Sequence, residues 1–509
     1  MNIRGGAQAF CWLNKHMFHR ARTASVRGGA CVCTADTGAP AGSGRMPTAD
    51  QHTRGQQEVD HSDRVLTQLT TVGPYAARER PALMGRMLDR SYVVPCAKRG
   101  SVLGEAEVTA LAELVQGGAP LSMGTWRDRF ERSFAQLVDT RYAMTTTSGT
   151  VSLELAIQLL DLQPGDEVIA TPQTYQATVM PLLDREVTVR FCDIDPMTLN
   201  IDPAAVEALI TPRTRALLLV HYGGCPAEMD EIMAVARRHG ILVVEDCAHA
   251  LGADYRGRRP GSLADIGCFS FQNAKNITTL GEGGMVTFDR DDWALRLERL
   301  RGNDVDAQIE PEEWIDPDEP LVLPWMKYSA AVYSDRVTRI RRAGTNATMS
   351  EAAAAVGLAQ LSRLDTLQGT RSSIAARLDA VLRRYPFVRP QQAPAHSGHA
   401  YHLYTCFADS RGLRDQLLLA LDRRGVEIQL RYFPLHLTPE WRHRGHGRGE
   451  CPVAESMWFD QHLNLPCHPG LRTSQVEYLV EALDESLAEV QAMAGGTAAP
   501  EPGAALTAG

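Results

Sequence analysis

Short, continuously apolar segments alternate with amphipathic segments along the chain from about Gly104 onwards. Apolar runs of this length are typical of strands buried on both faces, which favours a mostly parallel sheet. Several of these apolar segments are separated by segments whose apolar residues have helical spacing, such as Ala204–Ile210 and Met229–His239. This alternation is typical of an α/β fold. The predicted strands are Tyr142–Thr147, Glu167–Ala170, Val187–Phe191, Ala216–His221, Ile241–Glu245, Ile266–Phe271 and Met285–Phe288.

A second, smaller α/β unit is predicted towards the C-terminus. An Ala-rich run with helical spacing, Ser350–Leu364, leads into it, and strand-like segments follow at Tyr401–Phe407 and Val426–Leu430. A chain of 509 residues is long enough for two such units. We therefore predict a large domain over residues 86–370, including the connecting helix, and a small C-terminal domain over residues 371–494.

The two ends of the chain differ from this α/β region. Residues 1–35 carry no acidic residue, Gly, Ala, Ser and Thr dominate up to about Gly55, and residues 495–509 are rich in Ala, Gly and Pro. Such composition predicts disorder in residues 1–85 and 495–509. The N-terminal segment fits either a targeting segment or an upstream extension that precedes a start at Met46 or Met84.

Composition narrows the class of protein. A net charge of −9 without a basic stripe argues against nucleic-acid binding, and no apolar run approaches the roughly 20 residues that span a bilayer. The 11 cysteines are scattered, and Cys192, Cys247 and Cys268 fall in or beside predicted core strands. This pattern is typical of free thiols in a reducing compartment. We expect a cytoplasmic protein that binds neither nucleic acid nor membrane.

Two groups of cysteine and histidine residues raise the hypothesis of a metal site. Cys31 and Cys33 lack a second ligand pair, and His443, His446 and Cys451 lie in an Arg/Gly-rich loop. Neither group has the spacing of a four-ligand zinc site. We predict no metal site.

The candidate chemistry lies at strand ends. Lys275 follows one predicted strand and precedes the glycine-rich turn Gly281–Gly284, while Asp246 follows a neighbouring strand. A lysine can hold pyridoxal phosphate as a Schiff base, and an aspartate can keep the pyridine nitrogen protonated. A solvated surface lysine is the ordinary alternative, so the assignment depends on the residues around Lys275.

Ser148-Gly149-Thr150 lies between a predicted strand and a predicted helix. Backbone N–H groups at a helix N-terminus bind phosphate, and glycine lets a ligand come close to the backbone. Ser270, five residues before Lys275, offers a further hydroxyl. The alternatives are an ordinary helix cap at Ser148 and a strand serine bonded to the backbone at Ser270.

Two further side chains suit a pyridine ring. Tyr175 follows a predicted strand and can stack on the ring or pack in the core. His249, three residues after Asp246, can lie near the phenolic oxygen of the cofactor or cap the next turn. All these residues fall at the strand ends where parallel α/β folds bind ligands, so together they predict a pyridoxal phosphate site.

Several motifs follow one another in a fixed order between about Ser101 and Ala492. They are Ser148-Gly149-Thr150, Pro164-Gly165-Asp166-Glu167-Val168-Ile169, His221-Tyr222-Gly223, Glu245-Asp246-Cys247-Ala248-His249-Ala250, Gly252-Ala253, Phe269-Ser270-Phe271 with Lys275, Gly281-Glu282-Gly283-Gly284, Gly344-Thr345-Asn346, Tyr432-Phe433-Pro434-Leu435-His436 and Leu465-Pro466-Cys467-His468-Pro469-Gly470. In this order they resemble the DegT/DnrJ/EryC1/StrS family of pyridoxal phosphate-dependent sugar aminotransferases. The resemblance implies the fold type I architecture of aspartate aminotransferase.

The resemblance also implies roles for individual residues. Lys275 matches the Schiff-base lysine of the family and Asp246 its pyridine partner, and His249 falls beside the ring. Tyr175 matches the stacking aromatic residue, and the phosphate contacts match Ser148, Gly149, Thr150 and Ser270. Asn346 resembles an asparagine that reaches the cofactor phosphate of the neighbouring subunit, which implies a homodimer with shared active sites. Where the family often has arginine two residues later, this chain has Thr348.

The implied reaction is a transamination from glutamate or glutamine to a nucleotide-linked keto-sugar or a ketocyclitol, in amino-sugar or antibiotic biosynthesis. Arg431 and His436 are candidates for substrate contacts, with ordinary surface residues as the alternative. The loop Asn303–Tyr328, rich in acidic residues, Trp and Pro, is expected to border the site.

Three alternatives stay open at this point. Keto-sugar dehydratases of the same family carry histidine in place of the lysine, so Lys275 argues against that reaction. A lyase or decarboxylase on the same fold is a second alternative. A non-catalytic regulator that keeps the fold is the third.

Overall fold

A seven-stranded sheet organises the larger part of the computed structural model, which describes residues 91–97, 99–302, 305–306, 339–340 and 345–496. In chain order its strands are β1 (Tyr142–Thr146), β2 (Glu167–Ala170), β3 (Thr188–Phe191), β4 (Thr214–Val220), β5 (Leu242–Asp246), β6 (Ile266–Ser270) and β7 (Gly284–Phe288). Their spatial order is β1-β7-β6-β5-β4-β2-β3.

The sheet is mostly parallel, as the continuous apolar runs predict. Pairings are parallel from β6 through β5, β4 and β2 to β3, and only β7, between β1 and β6, runs in the opposite direction. Successive residues of β5 enter different core clusters, since Val243 packs on one face of the sheet and Val244 on the other. The sequence prediction of a two-sided, mostly parallel sheet is confirmed.

Helices cover this sheet and connect it to the C-terminal part. They are α1 (Glu105–Gln116), α2 (Thr125–Val138), α3 (Gly149–Leu159), α4 (Pro203–Leu209), α5 (Met229–His239), α6 (Asp291–Arg301), α7 (Glu351–Leu361), α8 (Leu364–Leu382), α9 (Arg411–Arg423), α10 (Pro439–Arg442), α11 (Pro452–Ser456) and α12 (Thr473–Gly496). The predicted run Ser350–Leu364 contains α7, which Ser350 caps by accepting a hydrogen bond from the Ala353 N–H, and ends at the first residue of α8.

A buried carboxylate fixes the start of α2. Glu351 accepts hydrogen bonds from the backbone N–H groups of Gly124 and Trp126, each at 2.8 Å, and of Arg127 at 3.4 Å. The first N–H groups of a helix have no partner within the helix, so a carboxylate supplied by α7 satisfies them from outside.

The C-terminal part contains a three-stranded antiparallel sheet, β8 (Val388–Pro390), β9 (Tyr404–Ala408) and β10 (His462–Leu465), in that spatial order. The predicted strand Val426–Leu430 is wrong: Val426 makes an isolated bridge to Val94 and Gln429 to Asn464. Because the backbone changes pairing partner within four residues, no continuous ladder forms. The domain boundary predicted after residue 370 falls inside α8 and stays a prediction.

Two short two-stranded ribbons complete the secondary structure: Asp254–Tyr255 pairs with Ser397–Gly398, and Val305–Asp306 pairs with Arg339–Ile340. Several sequence predictions concern residues outside the described ranges. These are the extension 1–85, the pair Cys31 and Cys33, the tail from 497 onwards, and the loop Asn303–Tyr328 apart from Val305–Asp306. None of the described helices combines the length and the apolar character that a membrane crossing requires.

Candidate active site

A cavity of about 600 Å³ opens at one edge of the large sheet. Eight of the nine residues predicted to contact the cofactor line it together: Ser148, Gly149, Thr150, Tyr175, Asp246, His249, Ser270 and Lys275. They come from four separate segments of the chain, so their convergence is a property of the fold.

Strand direction explains this convergence. β1, β2, β5 and β6 run the same way, so their carboxyl ends meet at one edge of the sheet. Asp246 is the last residue of β5 and Ser270 the last residue of β6. Ser148 follows β1, and Tyr175 follows β2.

Asp246 presents a buried carboxylate to the cavity, with only 4% of its surface exposed. Thr178 Oγ1 donates a hydrogen bond to Oδ2 at 2.6 Å, and the Ala248 N–H donates to Oδ1 at 3.0 Å. Burial raises the pKa of this carboxyl, and no described side chain forms an ion pair with it. A cationic ring nitrogen in the cavity would supply the missing countercharge and lower that pKa again.

Lys275 lies five residues beyond the end of β6 and is partly buried. Burial lowers the pKa of its amine from 10.5 to about 8, the negative charge of Asp246 opposes this shift, and the positive charge of Arg431 adds to it. An amine with this pKa is neutral in a substantial fraction of molecules near neutral pH, which is the form that acts as a nucleophile or a base.

The N-terminus of α3 forms the hydroxyl-rich end of the cavity. Ser148 Oγ accepts a hydrogen bond from the Val151 N–H at 3.2 Å, so Ser148 is a helix cap, and its hydroxyl proton, which no described residue accepts, can be donated to a ligand. A Cβ added at Gly149 would lie 2.5 Å from Ser270 Cβ. The glycine is therefore required by the close approach of β6 to the start of α3.

Tyr175 is not a core residue. Half of its surface is exposed, it precedes the short 3-10 helix Gln176–Thr178, and its ring centroid lies 6.0 Å from that of Tyr432. A flat side chain with a free face at the cavity wall suits stacking on a ring.

His249 is buried against a second histidine. Its ring is nearly parallel to the His402 ring, with centroids 4.3 Å apart and an interplanar angle of 11°, and its Nε2 lies 3.2 Å from the Tyr432 hydroxyl. Burial, with the charges of Lys275 and Arg431, lowers the pKa of His249 well below its usual value, so the ring is neutral. Its Nδ1 has no hydrogen-bond partner among the described residues.

The remaining candidates are distributed differently. Arg431 lines the cavity, and no described carboxylate forms an ion pair with it. His436 is buried outside the cavity lining and bonds through Nε2 to Glu455 at 3.1 Å, which separates it from Arg431. Asn346 is exposed and also lies outside the lining, and its Oδ1 accepts a hydrogen bond from Thr348.

Four polar residues of the cavity were not assigned a role from the sequence: Gln272, Glu282, His402 and Tyr432. Glu282 precedes β7, and because β7 runs against the other strands its beginning lies at the same edge as their ends. Tyr432 lies in a motif that resembles the family, which was a usable signal. Nothing local in the sequence marks His402.

The histidines and cysteine weighed as metal ligands lie in different environments, and His443 is exposed. His446 Nδ1 bonds to Glu450, and Cys451 is fully buried. A different group, His221, Glu245 and Cys247, is the one cluster of metal-type side chains in the described part of the chain. Its carboxylate already accepts hydrogen bonds from the N–H groups of Gly261, Leu263 and Ala264.

The tautomer of His221 argues further against a metal at this cluster. Its Nδ1 accepts a hydrogen bond from the Ala227 N–H, so the ring proton is on Nε2, which lies 2.9 Å from Glu245 Oε2. The histidine nitrogen nearest the carboxylate therefore carries a proton and has no lone pair for an ion.

Comparison with known proteins gives consistent matches. The model of the DegT/DnrJ/EryC1/StrS aminotransferase family matches residues 102–484. GDP-perosamine synthase of Caulobacter vibrioides is 36% identical over 370 residues, which cover 72% of this chain and 91% of that protein. A solved structure of DesV from S. venezuelae has 33% identity and a TM-score of 0.65, covering 75% of this chain and 94% of that one. The pyridoxal phosphate form of the sugar aminotransferase Spr1654 of Streptococcus pneumoniae has 25% identity and a TM-score of 0.67, covering 78% and 99%.

Proposed function

Since the chain belongs to the DegT/DnrJ/EryC1/StrS aminotransferase family, we propose that it moves an amino group from glutamate or glutamine to the keto group of a nucleotide-linked keto-sugar or a ketocyclitol. It is a pyridoxal phosphate-dependent aminotransferase. The observation that carries the proposal is the common cavity of Lys275, Asp246 and the N-terminus of α3. Similarity to GDP-perosamine synthase favours the nucleotide-linked acceptor and a role in amino-sugar biosynthesis, with antibiotic biosynthesis as the alternative setting.

The residues of the cavity fit the cofactor. When bound, pyridoxal phosphate supplies an electron sink for the bond that breaks at the alpha carbon of the amino donor. Asp246 has a buried carboxylate without a described ion-pair partner, which suits a protonated pyridine nitrogen. The N–H groups at the start of α3 and the hydroxyls of Ser148, Thr150 and Ser270 suit a phosphate group.

Lys275 is proposed to carry the reacting proton. Lys275 Nζ is the group that would hold the cofactor at its aldehyde carbon. Once released, the neutral amine would accept the proton from the alpha carbon of the amino donor and donate it back to the bound cofactor. The lowered pKa, about 8, supports this role because it leaves part of the amine unprotonated at neutral pH.

Three further residues are proposed to hold the ligands. Tyr175, with its exposed ring, stacks on the pyridine, and the neutral His249 lies beside it. Arg431 is proposed to bind the carboxylate of the amino donor, because it brings a guanidinium into the cavity and no described side chain neutralises it.

We also propose a cytoplasmic homodimer with shared sites. Asn346 is exposed and lies outside the cavity of its own chain, which suits a contact to the cofactor phosphate of a partner subunit. A test is to mix Lys275→Ala and Asn346→Ala subunits. If each site needs one residue from each chain, the mixture contains one intact site per heterodimer, and activity returns above that of either variant alone.

The central test is the visible spectrum of the purified protein. We expect a coloured wild type that glutamate or glutamine bleaches to the aminated cofactor, and a Lys275→Ala variant that lacks the covalent chromophore. The chain has only four lysines, so borohydride reduction and peptide mass analysis can assign the attachment site, with Lys98→Ala and Lys327→Ala as controls. A colourless wild type contradicts the cofactor assignment, and a coloured protein that neither donor bleaches contradicts transamination.

A further inference from the structure

A second, smaller cavity adjoins the candidate active site, and apart from Arg431 its polar wall residues have no role in the proposed reaction. Its volume is about 40 Å³, and it shares Ala274, His402 and Arg431 with the larger cavity. Its wall also contains the polar side chains of Arg371, Gln429, Asn464 and His468. Arg371 is 1% exposed, and His402 and His468 are each 7% exposed.

The hydrogen bonds of Asn276 fix the tautomer of His402. Asn276 Nδ2 donates to the Leu251 carbonyl at 3.0 Å and to the Ala400 carbonyl at 3.2 Å, so its Oδ1 is the acceptor that faces His402 Nδ1 at 3.2 Å. His402 is neutral, because burial lowers its pKa well below the usual value. Its single ring proton is therefore on Nδ1, and Nε2 carries a lone pair that accepts no hydrogen bond from the described residues.

Two more buried atoms of this cavity wall lack partners. Arg371 donates through Nη1 and Nη2 to three backbone carbonyls, of Tyr401, Cys467 and Gly100, which leaves its Nε–H unpaired among the described residues. His468 Nε2 lies 3.1 Å from the Pro95 carbonyl, which can only accept, so the proton is on Nε2. Its Nδ1 is then a second unpaired acceptor.

We propose that the small cavity binds one water molecule, which accepts a hydrogen bond from Arg371 Nε–H and donates to His402 Nε2 and His468 Nδ1. The guanidinium disfavours a cation, and the two imidazole lone pairs disfavour an anion. Water both accepts and donates, and one water needs only about 10–15 Å³ and two to four polar partners. The buried wall atoms that lack a partner among the described residues are one donor and two acceptors, which matches the hydrogen bonds of a single water.

This water gives His402 a function as a positioning residue. Asn276 holds one ring nitrogen and the water holds the other, so the ring has a fixed orientation, and it stacks on His249 at 4.3 Å. His249 in turn lies at the wall of the candidate cofactor site. The positioning role rests on the proposed function, whereas the water site does not.

A crystal structure of the pyridoxal phosphate-loaded wild type tests the water site directly. We expect a density peak within about 2.7–3.2 Å of both Arg371 Nε and His402 Nε2. A cavity without density, an ion in place of water, or a direct bond between the two side chains overturns the inference. This result does not depend on whether the protein transaminates.

Two matched variants test the positioning role. In His402→Asn the amide nitrogen can still donate to Asn276, but no acceptor reaches the position of Nε2. In His402→Gln the amide oxygen reaches that position, and the donor to Asn276 is lost. His443→Asn, which changes an exposed histidine, is the control.

The readouts are the single-turnover rate of glutamate with the bound cofactor and the pH dependence of the cofactor absorption. We expect His402→Asn to be about fivefold slower, the fold-change of one neutral hydrogen bond, with His402→Gln recovering most of the rate and His443→Asn unchanged. A slow His402→Gln with a normal His402→Asn assigns positioning to Asn276 alone and overturns the role of the water, and wild-type behaviour of both variants does the same. A wild type that glutamate does not bleach contradicts the proposed function, and the crystal structure then still decides the water site.

Discussion

The lowered pKa of Lys275 can be tested in the cofactor-free protein with variants that change the charges around it. Burial lowers this pKa from 10.5 to about 8. At pH 7 about one molecule in ten then carries the neutral amine, against about one in three thousand for an unperturbed lysine, an advantage of about 300-fold. The reactivity of Lys275 towards a nucleophile-selective reagent should therefore rise with pH and level off above about pH 8–9.

The two neighbouring charges give predictions of opposite sign. Asp246 raises the pKa of Lys275, so Asp246→Asn should move the profile to lower pH, and Arg431 lowers it, so Arg431→Gln should move the profile to higher pH. A charge in a partly desolvated site shifts a neighbouring pKa by about one unit, so each displacement should be of that order.

Trace acylation with an isotopically labelled anhydride between pH 6 and 11, followed by peptide mass analysis, measures this profile. The chain has only four lysines, so each is quantified separately, and a reference peptide with one lysine corrects for the reagent. A Lys275 profile centred near pH 10.5, or displacements of the same sign in the two variants, refutes the account of Lys275 as a desolvated amine whose pKa Asp246 raises and Arg431 lowers.

Three further predictions concern the packing at Gly149, the helix cap formed by Glu351 and the ligand contact of Tyr175. Gly149→Ala should lower the free energy of unfolding by about 1–3 kcal/mol in a urea titration, because its Cβ would lie 2.5 Å from Ser270 Cβ, whereas Gly369→Ala inside α8, with no atom within 4 Å, should raise it by about 0.5–1 kcal/mol. Equal effects of the two glycine changes contradict the packing argument. Glu351→Ala should lower the free energy of unfolding by about 2–4 kcal/mol because three backbone N–H groups at the start of α2 lose their acceptor. Glu351→Gln should lower it by less than half as much, and equal losses contradict the capping role. Tyr175→Ala should weaken cofactor binding about 3–10-fold in an absorbance titration without moving the unfolding midpoint, since the ring is half exposed, and an unchanged Kd excludes stacking.

The site residues that could be predicted from the sequence share one property. Ser148, Tyr175, Asp246 and Ser270 each end or closely follow a strand that is recognisable from its own apolar run, and these four strands run in the same direction although β1 itself pairs with the antiparallel β7. The run fixes the local structure, and the parallel arrangement then brings the carboxyl ends together without further information. For these residues a local pattern was sufficient.

The cavity residues to which sequence analysis gave no role reach the site only through tertiary packing. Glu282 reaches the cavity because β7 is antiparallel, and an apolar run is the same read in either direction. His402 and Tyr432 come from the C-terminal part of the chain, more than 120 residues beyond Lys275, and their approach depends on how that part packs on the sheet. The incorrect prediction of a strand at Val426–Leu430 has a similar cause. The segment has the apolar pattern of a strand, but its backbone pairs with two different segments of the chain.

Glu245 and Asp246 show how the sheet assigns different tasks to adjacent residues of the same chemistry. Side chains alternate between the two faces of a strand, so the two carboxylates at the end of β5 must point in opposite directions. Asp246 accepts hydrogen bonds from Thr178 and Ala248 at the cavity. Because its carboxylate is buried there without an ion-pair partner among the described residues, a bound cation would stabilise its negative charge.

Glu245 faces the other side of the sheet. Its carboxylate accepts hydrogen bonds from three backbone N–H groups of residues 261–264 and bonds to His221 Nε2. These bonds satisfy the carboxylate completely within the fold. Those bonds hold the segment that leads into β6, the strand that carries Ser270 and precedes Lys275. Asp246 therefore faces the ligand, while Glu245 holds the segment that leads into β6, the strand that precedes Lys275. A shift of β5 by a single residue would exchange the environments of Glu245 and Asp246, and neither carboxylate could then perform its task.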